Sequence, residues 1–236
     1  MTSSSSVPAH PDSCGAKRTL LLYITLSALM ACTALATDIF LPGVPEITAE
    51  LGSGEELMIT SFLLGFASAQ LILGPVSDRV GRKIPLSAGM IVFALGAAWC
   101  AVADTMPELI IARILQAVGA CTGPMLARAI VRDFYEGTRA AQVLSTLMLI
   151  MALAPILGPL MGGFLVVAGG WRWTFWAIAA VALIIFGLIL FLPESLPPAK
   201  RDSGSILSAF VNYPVLFTNG PFMRYVLCVC FYYISI

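Results

Sequence analysis

Long apolar stretches alternate with short polar breaks along almost the whole chain. Six stretches, over 19–42, 57–76, 84–103, 108–131, 141–168 and 174–192, are long enough to cross a bilayer as helices, which takes about 20 apolar residues. A seventh begins near Phe222 and runs to Ile236; its fifteen residues would rise only about 22 Å as a helix, short of a hydrocarbon core of about 30 Å. The pattern predicts an all-α membrane protein in four parts. These are a disordered tail over 1–18, a six-helix bundle over 19–193, a polar, Pro-rich linker over 194–221, and the start of a truncated further helix over 222–236. Within the linker, 206–211 reads as a short interfacial helix. Such a chain is expected to be about half of a larger protein plus part of its next helix.

The polar breaks differ in sign. Between the second and third runs, Gly74-Pro75-Val76-Ser77-Asp78-Arg79-Val80-Gly81-Arg82-Lys83 reads as a charged, glycine-punctuated turn with three basic residues against one Asp. Lys17 and Arg18 precede the first run, Arg128, Arg132, Asp133 and Arg139 mark the end of the fourth, and Lys200 and Arg201 follow the sixth. The alternate breaks carry Glu46, Glu50, Glu55 and Glu56, then Asp104 and Glu108. The last of them, Gly169-Gly170-Trp171-Arg172-Trp173, reads as a turn with interfacial aromatics. Lys and Arg concentrate on the cytoplasmic side of a membrane. The basic breaks and the N-terminus are therefore expected to be cytoplasmic and the acidic breaks external. The start of the chain also has the form of a signal peptide, with Lys17-Arg18, an apolar core and Ala34-Leu35-Ala36. Cleavage there would remove the membrane entry that the later charge pattern requires.

Composition excludes several classes. Hydrophobic residues make up 59% and charged residues 11% of the chain, with mean hydropathy +0.93, where a soluble domain carries about 25% charged residues. The formal net charge is +0, with no basic excess to suggest a nucleic-acid partner. Cysteines at 14, 32, 100, 121, 228 and 230 have no metal-ligand spacing and read as small hydrophobes. The single histidine, His10, lies in the Ser-rich tail, so neither a metal nor another cofactor is expected. No nucleophile–base pair, metal cluster or phosphate loop points to an enzyme.

Two ionisable residues fall within runs, and intramembrane charge marks a functional site by default. Asp38 lies four residues before Pro42, and Arg113 about five residues into the fourth run, entered from the same side. Similar depth makes a pair, direct or through water, geometrically possible. A carboxyl poised between an apolar cavity and a fixed cation can load a proton on one side and lose it on the other, and Arg113 cannot deprotonate. Structural alternatives stand beside these roles: Asp38 as a helix-end cap or snorkelling group, Arg113 as an anchor to backbone carbonyls. Gln116, one turn after Arg113, shares its face, either as a polar lining group or in a helix–helix hydrogen bond. In the fifth run, Gly158 and Gly162 form a G-x-x-x-G face that permits close helix approach. Pro155 and Pro159 remove backbone donors and bend the helix, which suits both a packing seam and a hinge.

These motifs carry a family resemblance. Gly74-x-x-x-Asp78-Arg79-x-Gly81-Arg82-Lys83 resembles the loop motif of the major facilitator superfamily, between helices two and three. Leu109-x-x-x-Arg113-x-x-Gln116-Ala117-x-Gly119 resembles its fourth-helix motif, with Ala117 where Gly is usual. The stretch 154–163, including Pro155, Gly158, Pro159, Gly162 and Gly163, resembles the antiporter motif, with Ala154 in place of Gly. Thr37-Asp38-Ile39-Phe40-Leu41-Pro42 and Glu194-Ser195-Leu196-Pro197-Pro198 are similar to drug:proton antiporters of the Bcr/CflA type. The resemblance covers 19–236 and implies a twelve-helix fold. This chain would hold the first six-helix bundle, a three-plus-three inverted repeat in which helices one and four correspond, and a stub of helix seven. It implies efflux of drugs or other small amphipathic molecules across the lipid bilayer, driven by the proton gradient through alternating access, with the second half of the transporter as partner. Asp38 would couple proton to drug binding and Arg113 would tune it. Asp78, Arg82 and Asp133 would form a cytoplasmic charge cluster that holds the outward-facing closure. Two alternatives remain open: a transporter of a metabolite, and a non-transporting half that only assembles with a partner.

Overall fold

The computed structural model describes residues 15–201 and 218–234. Its α-helices are α1 (Gly15–Asp38), α2 (Val44–Leu51), α3 (Glu55–Val80), α4 (Lys83–Val102), α5 (Met106–Ala120), α6 (Thr122–Phe134), α7 (Gly137–Gly169), α8 (Arg172–Leu190) and α9 (Gly220–Ile234). No strand occurs among the described residues. Residues up to Arg201 form one compact unit, and α9 belongs to a second. Six helical segments are long and apolar enough to span a membrane: α1 with α2, α3, α4, α5 with α6, α7 and α8. Most of the predicted tail and the helix expected over 206–211 lie outside the described residues. Residues 15–18, expected in the tail, are the first turn of α1.

Proline chemistry sets several of the breaks. A proline ring clashes with the carbonyl four residues back. Pro42 does this to Asp38, and α1 ends there. A 3₁₀ turn, Leu41–Gly43, redirects the chain, and part of the expected acidic loop is instead the helix α2. Pro124 does the same to Ala120, so the fourth span is jointed at Cys121 between α5 and α6. The Ala120 carbonyl freed by the joint accepts from Thr33 Oγ1 of α1 at 3.2 Å. By contrast α7 runs unbroken through Pro155 and Pro159. The charged stretch at 74–83 is also mostly helix: α3 continues to Val80, and only Gly81 and Arg82 make the turn. Gly81 has φ +103°, in the left-handed region that favours glycine.

Small residues let the helices approach closely. A Cβ on Gly96 of α4 would lie 2.5 Å from the Gln116 backbone nitrogen of α5. The core is built from α4 packed on α5 and α8, α3 on α5, and α1 on α7. The helices α3 and α7 bury less of their length than the other spans. They present apolar faces that include Leu63, Leu64 and Leu71 on α3, and Ile156, Leu160 and Phe164 on α7.

Candidate functional site

Arg113 is placed by the start of its helix. Thr105 Oγ1 accepts from the Glu108 N–H at 3.4 Å, and Glu108 Oε2 accepts from the Asp104 N–H at 3.2 Å. This is close to a capping box, which fixes a helix N-terminus. Glu108 Oε1 also accepts from Trp99 Nε1 at 2.8 Å, tying α5 to the end of α4. Two turns further on, Arg113 is 1% exposed. Its Nη1 donates to Gln116 Oε1 at 2.7 Å and to the Ala36 carbonyl at 3.2 Å. Ala36 lies in the last turn of α1, where carbonyls lack an intrahelical partner; Arg113 satisfies one of them. Gln116 is fully buried, and its amide nitrogen and Arg113 Nε have no hydrogen-bond partner.

Asp38, the last residue of α1, is half-buried. The structure does not join it to Arg113: no Asp38–Arg113 ion pair occurs within 4.0 Å. The guanidinium instead lies 4.3 Å from the ring centroids of both Phe40 and Phe62, and 5.8 Å from that of Phe175. The helix end drives this. α1 terminates at Asp38, so Phe40 turns into the cluster with Ile47, Met58, Leu109 and Phe175. The other face of Asp38 meets α7. A Cβ on Gly158 would lie 2.8 Å from Asp38 Cβ, and one on Gly162 would overlap the Ile39 carbonyl oxygen. The G-x-x-x-G face is thus pressed against the carboxyl-bearing end of α1. Gly163 faces open space and takes no part in this contact.

The loop-motif residues gather at the opposite end. Arg82 is held on two sides: Nη1 meets Asp78 Oδ1 at 2.5 Å and Ser77 Oγ at 2.8 Å, and Nε meets Asp133 Oδ2 at 3.2 Å. Asp133 Oδ2 also accepts from Ser195 Oγ at 2.9 Å. Ser77, Asp78, Arg82 and Asp133 line a polar pocket of about 340 Å³ with Gly74, Arg132 and Met125. Arg79 Nη1 donates to the Pro75 carbonyl at 3.4 Å, and Lys83 Nζ to the Leu190 carbonyl at 2.7 Å. A side chain on Gly74 would meet open space.

Sequence reasoning assigned no role to Glu194, although the stretch that contains it was noticed. Its carboxylate accepts from the Arg82 N–H at 2.8 Å and the Lys83 N–H at 3.2 Å. It therefore caps α4, an anion at a helix N-terminus. The other omission is at the acidic end. Glu46 and Glu50 lie one turn apart on α2. Glu46 accepts from the Trp171 N–H at 3.0 Å, and Glu50 from Trp171 Nε1 at 2.8 Å and Arg172 Nη1 at 2.6 Å. Trp171 is accordingly 1% exposed and not an interfacial aromatic, whereas Trp173 and Trp176 beside it are exposed.

Solved transporters share this path of helices. The chain superposes on the proton:xylose symporter XylE with a TM-score of 0.69 at 17% identity, covering 76% of this chain and 46% of that one. It matches the human organic anion transporter MFSD10 with a TM-score of 0.57 at 24% identity, over 80% and 49% of the two chains. At such identities the likeness concerns the fold alone. The sequence profile of the Major Facilitator Superfamily matches residues 12–236. The chain belongs to the major facilitator superfamily. As a superfamily member with six membrane-length helices, it is a multi-pass membrane protein of a transporter family, and members of that family are not enzymes. Two curated relatives illustrate its place there. It is 36% identical over 221 residues to the uncharacterized MFS-type transporter YdgK of Bacillus subtilis, covering 91% of this chain and 55% of the relative. It is 32% identical over 203 residues to the multidrug resistance protein MdtL of Escherichia coli, covering 81% and 52%. The chain spans about half the length of the curated relatives it matches.

Proposed function

We propose that this chain is the N-terminal half of a transporter that exports drugs or other small amphipathic molecules in exchange for protons. The observation that carries the reading is the end of α1. A half-buried carboxyl, Asp38, sits against the glycine face of α7, and the neighbouring buried cation, Arg113, takes only neutral hydrogen-bond acceptors. A carboxyl with no permanent ion pair can gain and lose a proton without breaking one. The contact with Gly158 and Gly162 gives it a helix seam that must rearrange if α7 moves. The name of the MdtL relatives, multidrug resistance protein, supports drugs as the substrate class.

The remaining assignments follow from this reading. The bundle runs from the start of α1 at Gly15 to about residue 193, a linker follows from 194, and α9, from Gly220, is the start of the seventh helix. The end carrying Arg82 and Asp133 faces the cytoplasm, with the N-terminus, in a bacterial inner membrane; the sign of the breaks supports that orientation. There the Asp78–Arg82–Asp133 cluster acts as a latch that favours one of the two access states. The driving force suffices: each charge moved is worth about 2.3 kcal/mol per 100 mV. That supports a concentration ratio of roughly fifty per proton at full coupling.

The test uses cells expressing the full-length protein, wild type or Asp38→Asn, challenged with chloramphenicol and ethidium. Raised survival with the wild type, lost in Asp38→Asn at equal membrane abundance, is expected. Unchanged survival with normal abundance would overturn drug export and favour transport of a metabolite.

A further inference from the structure

We propose that Phe40 and Phe62, backed by Phe175, take the place of a counter-ion for Arg113 and fix its position through cation–π contact. The proposal rests on the reading of Asp38 and Arg113 given above, and its test is independent of substrate.

A buried guanidinium without an anionic partner is costly. Here the cation is essentially sealed from solvent, and among the described residues no Asp or Glu oxygen lies within 4.0 Å of its nitrogens. Hydrogen bonds do not fill the gap. Nη1 has the Ala36 carbonyl and the Gln116 amide oxygen, both neutral, while Nε has nothing. What surrounds the guanidinium is aromatic. Two ring centroids lie at 4.3 Å, inside the range of about 6 Å for cation–π attraction. Both rings are buried, at 0% and 2% exposure, which is where that attraction is strongest.

The cage is itself anchored. Phe40 stacks on Phe175 at 5.9 Å, and Phe175 meets Trp171 edge-on at 6.0 Å. Trp171 is fixed by its indole hydrogen bond to Glu50, and the Arg172 guanidinium lies 4.3 Å from its ring. The rings that touch Arg113 therefore come from three separate elements, the turn after α1, α3 and α8, and two of them, Phe40 and Phe175, are tied through Trp171 to the polar network at the acidic end. A cation neutralised in this way does not hold Asp38 in a permanent ion pair, so the carboxyl keeps its freedom to exchange a proton. The same chain of contacts makes Phe40 and Phe62 sensitive to where Arg113 sits.

Fluorinated phenylalanines test this. Each fluorine draws electron density from the ring face with little change of shape, which weakens cation–π contact and leaves packing nearly intact. The full-length protein, purified in detergent, is prepared with mono-, di- and trifluorophenylalanine at position 62, and separately at position 40. The readout is the folded-to-unfolded ratio at a fixed temperature in the unfolding transition. With Arg113 present, the ratio is expected to fall steadily along the series, by about tenfold at trifluorophenylalanine, equivalent to about 1.4 kcal/mol. In Arg113→Met the same series should be flat. If that variant does not fold, Arg113→Lys keeps a cation at the site and should keep a slope, while Phe62→Leu should cost more than Phe62→Tyr. A flat series with Arg113 present, or an equal slope in Arg113→Met, would overturn the proposal. Neither result depends on whether drugs are the substrate or Asp38 carries the proton. Failure of the cage and failure of the exporter reading are therefore separable.

Discussion

Three glycines of α7 make the sharpest test of the seam at Asp38. Replacing Gly158 with Ala puts a Cβ 2.8 Å from Asp38 Cβ and 3.4 Å from its carbonyl carbon. Ordinary carbon contacts lie at about 3.5–4.0 Å, so the overlap with the Asp38 Cβ is about 1 Å. No rotamer relieves it, because the Cβ atoms are fixed by two helix backbones. Overpacking of this kind costs about 1–3 kcal/mol. Alanine also gains about 1 kcal/mol over glycine in a helix interior, which would blur a comparison with wild type alone. Gly163 supplies the control: its Cβ would meet nothing within 4 Å, so Gly163→Ala keeps the helix gain without the clash. The difference between Gly158→Ala and Gly163→Ala should thus be about 1–3 kcal/mol. Gly162→Ala, whose Cβ would overlap the Ile39 carbonyl oxygen, should be at least as damaging. The assay is the thermal unfolding midpoint of the purified full-length protein. A kcal/mol moves the midpoint of a 150–250-residue domain by about 2–4 °C and that of the longer full-length protein by less, so Gly158→Ala should melt below Gly163→Ala by several degrees, at most about 12 °C. Equal midpoints for all three variants would refute the close approach of α7 to the end of α1.

Three further predictions concern the ends of the bundle. Arg82 and Asp133 side chains are only 11% and 17% exposed, so Arg82→Gln and Asp133→Asn should be non-additive by about 0.5–3 kcal/mol in an unfolding cycle. Asp78, at 54% exposure, should cost less than about 1 kcal/mol when changed to Asn. Glu194→Gln should lower the melting midpoint by loosening the N-terminus of α4, a loss of about 1 kcal/mol, while Ser195→Ala should be milder. With native cysteines replaced, Asp104→Cys should react with an impermeant thiol reagent in intact cells, and Glu136→Cys only in inverted vesicles. The reverse pattern would overturn the proposed orientation.

The fold was legible because hydropathy and proline placement both act locally. The six spans, the joint before Pro124 and the end of α1 before Pro42 all trace to chain chemistry that a one-dimensional reading can follow, although the joint itself was not anticipated. The loop motif marks Asp78 and Arg82, the family resemblance adds Asp133, and the structure brings these three together. What escaped depends on contacts between distant segments. Nothing local distinguishes Phe40, Phe62 and Phe175 from other aromatics in apolar helices; only the position of Arg113 singles them out. Similar depth leaves a pair of Asp38 and Arg113 possible, direct or through water, and direction decides against the direct one. Arg113 reaches the α1 backbone at Ala36, and the Asp38 side is taken by α7. Glu46 and Glu50 had a signal that went unused: their spacing of four puts both on one face of a helix, which suits a common partner. Pro155 and Pro159 remove donors from α7 without ending it, and the helix is continuous through both.

The proposed exchange of a proton for substrate runs through Asp38. Its most direct measurement is proton release from the purified full-length protein, in weakly buffered detergent solution with a pH indicator, on addition of a drug that it exports. Substrate-dependent release is expected from the wild type and none from Asp38→Asn, with both proteins still binding the drug. Equal release from the two would contradict it.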